Sequence, residues 1–224
     1  MSPFALFVLA AVAGSPALES ARDRQDRAAL ARTVSELAEA AKKNSNDAEA
    51  QYRLALAASY LAEVSLELRD KQQAQRAAET GIPAAEKAIA LNPRVAEYYR
   101  VLGTLCGQVV PANVLAGLSY GKRARESIDK AIELDPKSSR AYLARGIGNY
   151  YLPPTFGGGV DRAIADFQKA VQLDATSAEA YLWLGVALRK AGRNAKAREA
   201  FGQSMKLNPN RIWTKQQLEK TPAQ

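Results

Sequence analysis

The stretch from Ala178 to Pro209, AEAYLWLGVALRKAGRNAKAREAFGQSMKLNP, reads as two amphipathic helices joined by a turn and closed by a stop. Tyr181, Leu184, Gly185 and Leu188 recur at helical spacing in the first half, and Ala197, Phe201 and Ser204 do so in the second. Gly185 and Ala197 are small where the two helices of such a hairpin cross closely. Gly192 gives the turn between them a permissive backbone. The second helix ends at Asn208-Pro209, because proline lacks the amide donor and disfavours helix in the residue before it.

Working outward, the closing phrase of this stretch recurs upstream. Ala88 to Pro93, Ala131 to Pro136, Ala170 to Ala175 and Ser204 to Pro209 are variants of one another, and each of the first three is followed by a fresh helical start. The spacings between their ends are 43, 39 and 34 residues. A period of this size marks a stacked-repeat architecture, in which each hairpin buries its apolar stripe against its neighbours. The extra residues of the longer units fall between the two helices, around Val109 to Asn113 and at Tyr151 to Gly159, where solenoids accept insertions.

The unit from 176 to 209 resembles the tetratricopeptide repeat. The family's pattern of aromatic, Leu, Gly, Leu, Gly, Ala, aromatic, small residue and Pro falls here on Tyr181, Leu184, Gly185, Leu188, Gly192, Ala197, Phe201, Ser204 and Pro209. Earlier units match more loosely, through Tyr142, Gly146, Ala163, Phe167 and Ala170, with Arg145 in the usual Leu place, and through Tyr99, Leu102, Gly103, Ala124, Ala131 and Pro136. The resemblance implies an all-α, right-handed α-solenoid of tetratricopeptide-type hairpins with capping helices. The expected layout is an N-terminal capping helix over 20–46, repeats over 47–93, 94–136, 137–175 and 176–209, and a C-terminal capping helix and tail over 210–224. In the C-terminal cap, Ile212 and Trp213 pack on the last repeat and the polar remainder faces water.

Residues 1–17 are read as a cleaved export signal. The run from Phe4 to Ala13 is apolar and too short to span a bilayer comfortably, with small-x-small patterns at its end, Ala11-Val12-Ala13, and just after it, Ser15-Pro16-Ala17. It has no Lys or Arg before the apolar run, so an uncleaved anchor and a cytosolic chain remain the alternatives. The expected location is periplasmic or secreted, with no transmembrane span once the leader is removed.

Composition narrows the chemistry. The chain has 224 residues, 47% of them hydrophobic, with no histidine and a single cysteine, Cys106. These counts exclude an intramolecular disulfide, Ser-His triads and HExxH zinc sites. Gly157-Gly158-Gly159 is followed by Val160-Asp161-Arg162 and lacks the Lys and hydroxyl of a phosphate loop, so it reads as a turn before a helix capped by Asp161. Glu126, Asp129 and Glu133 alternate with Lys122, Arg125 and Lys130 as a solvated helix face. No catalytic residue, cofactor or metal site is expected. The net charge of +8 is spread along the chain without a basic run, which speaks against nucleic acid as a partner.

The resemblance directs attention to the concave face, which the first helix of each unit lines. Counting from the matched positions, that face takes Arg100 and Thr104, then Arg140, Leu143, Ile147, Tyr150 and Tyr151, then Leu182, Val186, Arg189 and Lys190. Such a mixture of aromatic, aliphatic and cationic groups suits an acidic, amphipathic protein or peptide segment. The expected function is a protein-interaction scaffold outside the cytoplasm. The alternative is an accessory component of an envelope transport or assembly complex that handles a small ligand.

Overall fold

The computed structural model describes residues 15–112 and 117–223. The apolar run and Ala11-Val12-Ala13 lie outside the described residues. Eleven helices follow one another among those described: α1 (Pro16–Asp23), α2 (Arg27–Lys43), α3 (Ala48–Glu67), α4 (Lys71–Leu91), α5 (Ala96–Val109), α6 (Gly117–Leu134), α7 (Ser139–Tyr151), α8 (Val160–Leu173), α9 (Ala178–Lys190), α10 (Asn194–Leu207) and α11 (Ile212–Glu219). The pairs α3/α4, α5/α6, α7/α8 and α9/α10 are hairpins, and each packs on the next, with α3, α5, α7 and α9 side by side in one layer. This is the α-solenoid that the repeat pattern implies.

Local chemistry sets the helix ends. Asp47, Asp70, Ser138 and Ser177 each cap a helix by accepting a hydrogen bond from a first-turn amide, an arrangement that stabilises a helix by about 1 kcal/mol. The repeated Asn or Asp before each stop has a role of its own. Asn92, Asp135, Asp174 and Asn208 each accept from the backbone N–H two residues on, at Arg94, Lys137, Thr176 and Asn210. This Asx turn redirects the chain in all four repeats. It explains why Ala175 can stand where the other units have proline.

The small residues sit where the helices meet. A Cβ added at Gly185 would lie 2.7 Å from the Phe201 ring, and one at Gly146 would lie 2.5 Å from the Phe167 ring. Gly192 adopts φ +74° in the α9–α10 turn, as the hairpin reading requires. Arg145, in the place that favours Leu, donates through Nη2 to Asp166 of α8 at 2.7 Å, and Asn149 Nδ2 donates to the same carboxylate at 2.8 Å. A polar bridge thus replaces an apolar contact in that unit.

Three local readings are corrected. The stretch read as one N-terminal cap is two helices, because the chain reverses at Gln25, φ +54°, and Asp26 starts α2 by accepting from Ala29 N. Asp161 does not cap α8. Gly159 occupies the cap position, and Asp161 lies in the first turn. The polar side of α11 does not all face water: Thr214 and Gln217 are buried.

The second insertion is held in place. It contains a 3-10 turn at Pro154–Phe156 and is tied by Gly159 N to Asn149 O, by Arg125 to Phe156 O and by Arg162 to Gly157 O. Buried apolar residues fall into two clusters. One runs from Leu18 to Val109, and the other joins Ala163 to Phe201 with Ile147, Tyr150 and Trp213 packed against it.

Candidate functional site

The layer of first helices brings together the residues expected on the concave face, with different degrees of access. On α5, Arg100 donates to both oxygens of Glu97 at 2.7 Å and to Thr104 Oγ1 at 3.4 Å. Tyr52 of α3 donates its hydroxyl to Glu97 at 3.3 Å, and Arg140 of α7 stands 3.6 Å from the same carboxylate. Burial and the Glu97 charge push the Tyr52 phenol well above its usual range. Burial works against the Arg100 charge, but Glu97 more than offsets it and the guanidinium is held more firmly protonated than usual. Arg140 keeps 47% of its side-chain surface exposed.

Further along, aromatic rings form a wall. Tyr150 meets Tyr151 at 5.0 Å and Trp183 at 5.9 Å, and Trp183 meets Trp213 of α11 at 5.1 Å. Tyr151 is 67% exposed. Lys190 donates to Tyr150 O at 2.9 Å and places its ammonium 4.2 Å from the Tyr150 ring centroid. Leu143 and Ile147 are half-buried against this second apolar cluster.

Leu182, Val186 and Arg189 are not open groove residues. Leu182 and Val186 are buried in the second core. Arg189 is committed to α11, donating to Gln217 O at 2.9 Å and to the Gln217 side chain at 2.6 Å. At the end of the stack α11 packs on α10 and reaches α9 through Arg189–Gln217 and Trp183–Trp213. That leaves Arg140, Tyr151 and Lys190 as the open positions of the expected set, with Arg100, Thr104, Leu143, Ile147 and Tyr150 half-buried beside them.

The most conspicuous arrangement on this side was not anticipated from the sequence. Arg211, just before α11, has a side chain with 0% exposure, and it joins the two ends of the solenoid. It donates to Glu179 of α9 at 2.7 Å, to Glu63 of α3 at 2.6 Å and to both carboxylate oxygens of Glu67 of α3. Around it, Arg22 of α1 pairs with Asp23 at 2.8 Å, lies 3.6 Å from Glu179 and covers the Tyr60 ring at 4.9 Å. Asn208 donates to Asp23 at 2.7 Å, Gln25 donates to Glu67 at 2.8 Å and Gln216 donates to Gln25 at 3.2 Å.

Burial raises Glu63, to about 7, against the pull of Arg211 and Arg22, and it raises Glu67 as well. Glu179 goes the other way: burial pushes it up, but Arg211 and Arg22 together pull it below the usual carboxylate range. These residues escaped the sequence reading because they lie up to 189 positions apart. The only local signal was an Arg after Asn-Pro-Asn, which looked like an ordinary surface cation.

Comparison with known proteins agrees with this architecture. Similar solved structures include TTC0263, a thermophilic TPR protein of Thermus thermophilus, with a TM-score of 0.61 at 20% identity over 84% of this chain and 87% of that one. Another is the HusA haemophore of Porphyromonas gingivalis, with a TM-score of 0.52 at 22% identity over 88% of this chain and 96% of that one. At these identities the likeness is one of fold. No curated protein matches the chain. Residues 157–211 match the tetratricopeptide repeat model, a repeat class that typically builds non-catalytic scaffolds binding proteins or peptides. Residues 17–152, more than half of the chain, match a second model, and the protein therefore belongs to the family described as regulator of microtubule dynamics protein 1-3, with tetratricopeptide repeats completing its C-terminal part.

Proposed function

We propose that the protein is an interaction scaffold that takes an acidic, amphipathic segment of a partner protein on its concave face, outside the cytoplasm. The carrying observation is the pairing of the half-exposed Arg140 with the exposed ring of Tyr151, at opposite ends of α7. Arg140 offers charge-assisted hydrogen bonds to a partner carboxylate, and Tyr151, backed by Tyr150 and Trp183, offers a rigid apolar platform. The description of the family names an action on a protein polymer, which supports protein as the partner class. The uncharged apolar residues near the N-terminus support export.

The test is cross-linking and co-purification from the native cells, comparing the parent with Arg140→Glu combined with Tyr151→Ser. Both substitutions are at exposed positions, so unchanged helicity is expected. Loss of a specific partner in the variant supports the concave face. Equal capture by both proteins refutes it. N-terminal sequencing of the mature chain tests export, and a chain that still begins at Met1 counts against cleavage.

The second reading, an envelope transport component that handles a small ligand, is supported by the joined ends of the solenoid, which wall off the concave face on one side. Native mass spectrometry distinguishes it: a co-purifying small molecule favours this reading, and its absence favours the protein partner.

A further inference from the structure

We infer that the charges around Arg211 form a latch that holds the two ends of the solenoid together in mildly acidic solution and releases them as the pH rises, opening the concave face. The inference rests on the reading of that face as the binding site and adds its regulation.

Three observations carry it. The first is stoichiometry. Two guanidiniums, Arg22 and Arg211, meet four carboxylates, Asp23, Glu63, Glu67 and Glu179, in a region where the Arg211 side chain has no exposure. Fully ionised, the cluster carries two uncompensated negative charges around the buried Arg211 and Glu67, with Glu63 and Glu179 only partly open to water, which disfavours ionisation of at least one acid. The second is the nature of the joint. Asn208 to Asp23, Gln25 to Glu67 and Gln216 to Gln25 are all polar contacts, and the two apolar clusters, one built from α1 to α5 and the other centred on α8 to α10, share no residue. Closure of the ends therefore depends on hydrogen bonds and charge. The third is connectivity: the latch lies far along the chain from the α6–α7 junction, so a small rotation there separates the ends without unfolding a repeat.

The groups facing Glu63 and Glu67 come from every packed element. They are Arg22 and Asp23 of α1, Tyr60 of α3, Glu179 of α9 and Arg211 before α11, with Arg100 of α5 and Tyr151 of α7 close enough to influence Tyr60 and Glu67 respectively. Burial raises both Glu63 and Glu67, and Glu63 gains its charge at about 7 in the closed form against an ordinary 4.5 once opened. A raised acid binds its proton more tightly in the closed state, so closure is favoured below the ordinary range and that advantage is gone once the pH passes about 7. One such proton changes the ratio of closed to open by about thirtyfold between pH 5.5 and pH 8.5.

The experiment places spin labels on cysteines introduced at Gln72 and Lys215, both exposed, on opposite sides of the latch. Cys106 is buried and stays in place. Pulsed dipolar spectroscopy should give one short distance at pH 5.5 and an added longer population at pH 8.5. Glu63→Gln should remain closed at both values, and Arg211→Gln should be open at both. An identical distance distribution at the two pH values in the parent overturns the latch, as does a Glu63→Gln chain that opens like the parent. Because no partner is present, these outcomes leave the concave-face reading to its own capture experiment.

Discussion

Replacing Arg211 with methionine should be among the most damaging single changes in this protein. The substitution keeps an unbranched chain of similar reach but removes every hydrogen bond to Glu63, Glu67 and Glu179. Arg22 remains near Glu179, so the orphaned charges are chiefly Glu63 and Glu67. In the closed arrangement, stripping a buried ion network of one partner costs about 3–5 kcal/mol because the remaining charges stay desolvated, and opening of the ends limits the loss to the free energy of closure. Against a typical domain stability of about 5–15 kcal/mol, this is a large fraction. For a chain of this length it corresponds to a fall in Tm of about 10 °C. The assay is thermal and urea unfolding followed by circular dichroism at pH 7.5. The decisive comparison adds Glu63→Gln and Glu67→Gln to Arg211→Met. Removing the orphaned charges should recover at least half of the loss, since neutral amides are far cheaper to bury than carboxylates. A loss below about 1 kcal/mol for Arg211→Met, or no recovery in the triple variant, would refute the argument that burial of unpaired charge is what matters there.

The parent should be more stable at pH 5.5 than at pH 8, by up to about 2 kcal/mol, because Glu63 is raised in the folded protein and its contribution fades as the pH climbs through about 7, with Glu67, also raised, acting in the same sense. Glu179, lowered, contributes in the opposite sense and loses its share only in more acidic solution. Urea midpoints across this range should show the fall, and Glu63→Gln should flatten it. Gly185→Ala drives a methyl group against the Phe201 ring and should cost about 1–3 kcal/mol, read as a lower urea midpoint. The same change at the exposed, unobstructed Gly107 should not destabilise. Cys106 is buried, and burial pushes its thiol up to about 12. It should react with a thiol reagent only on unfolding, so a fast native reaction at pH 8 would contradict its placement.

The repeat was legible from the chain because its signals are local. The helical spacing of Tyr181, Leu184 and Leu188, the small Gly185 and the Asn208-Pro209 stop are all decided within one hairpin, and the fold follows from stacking such hairpins. The general position of the concave face was legible for the same reason, since Arg100, Arg140 and Tyr151 are set by helical register. What escaped was everything that depends on the ends of the stack. Leu182, Val186 and Arg189 were placed on an open face by register alone, but Leu182 and Val186 are buried in the second core and Arg189 is taken up by α11, and no local pattern says where a terminal helix will reach. Arg22, Glu63, Glu67, Glu179 and Arg211 look like ordinary surface charges one at a time. Their meeting is set by the curvature of the stack, the sum of small rotations between successive hairpins, and a sum over four repeats is not written in any one of them. The sequence by itself therefore determined the hairpin, its period and its solenoid class, because these rest on contacts a few residues apart. The tertiary structure alone decided that the two ends meet and that a fully buried arginine joins them.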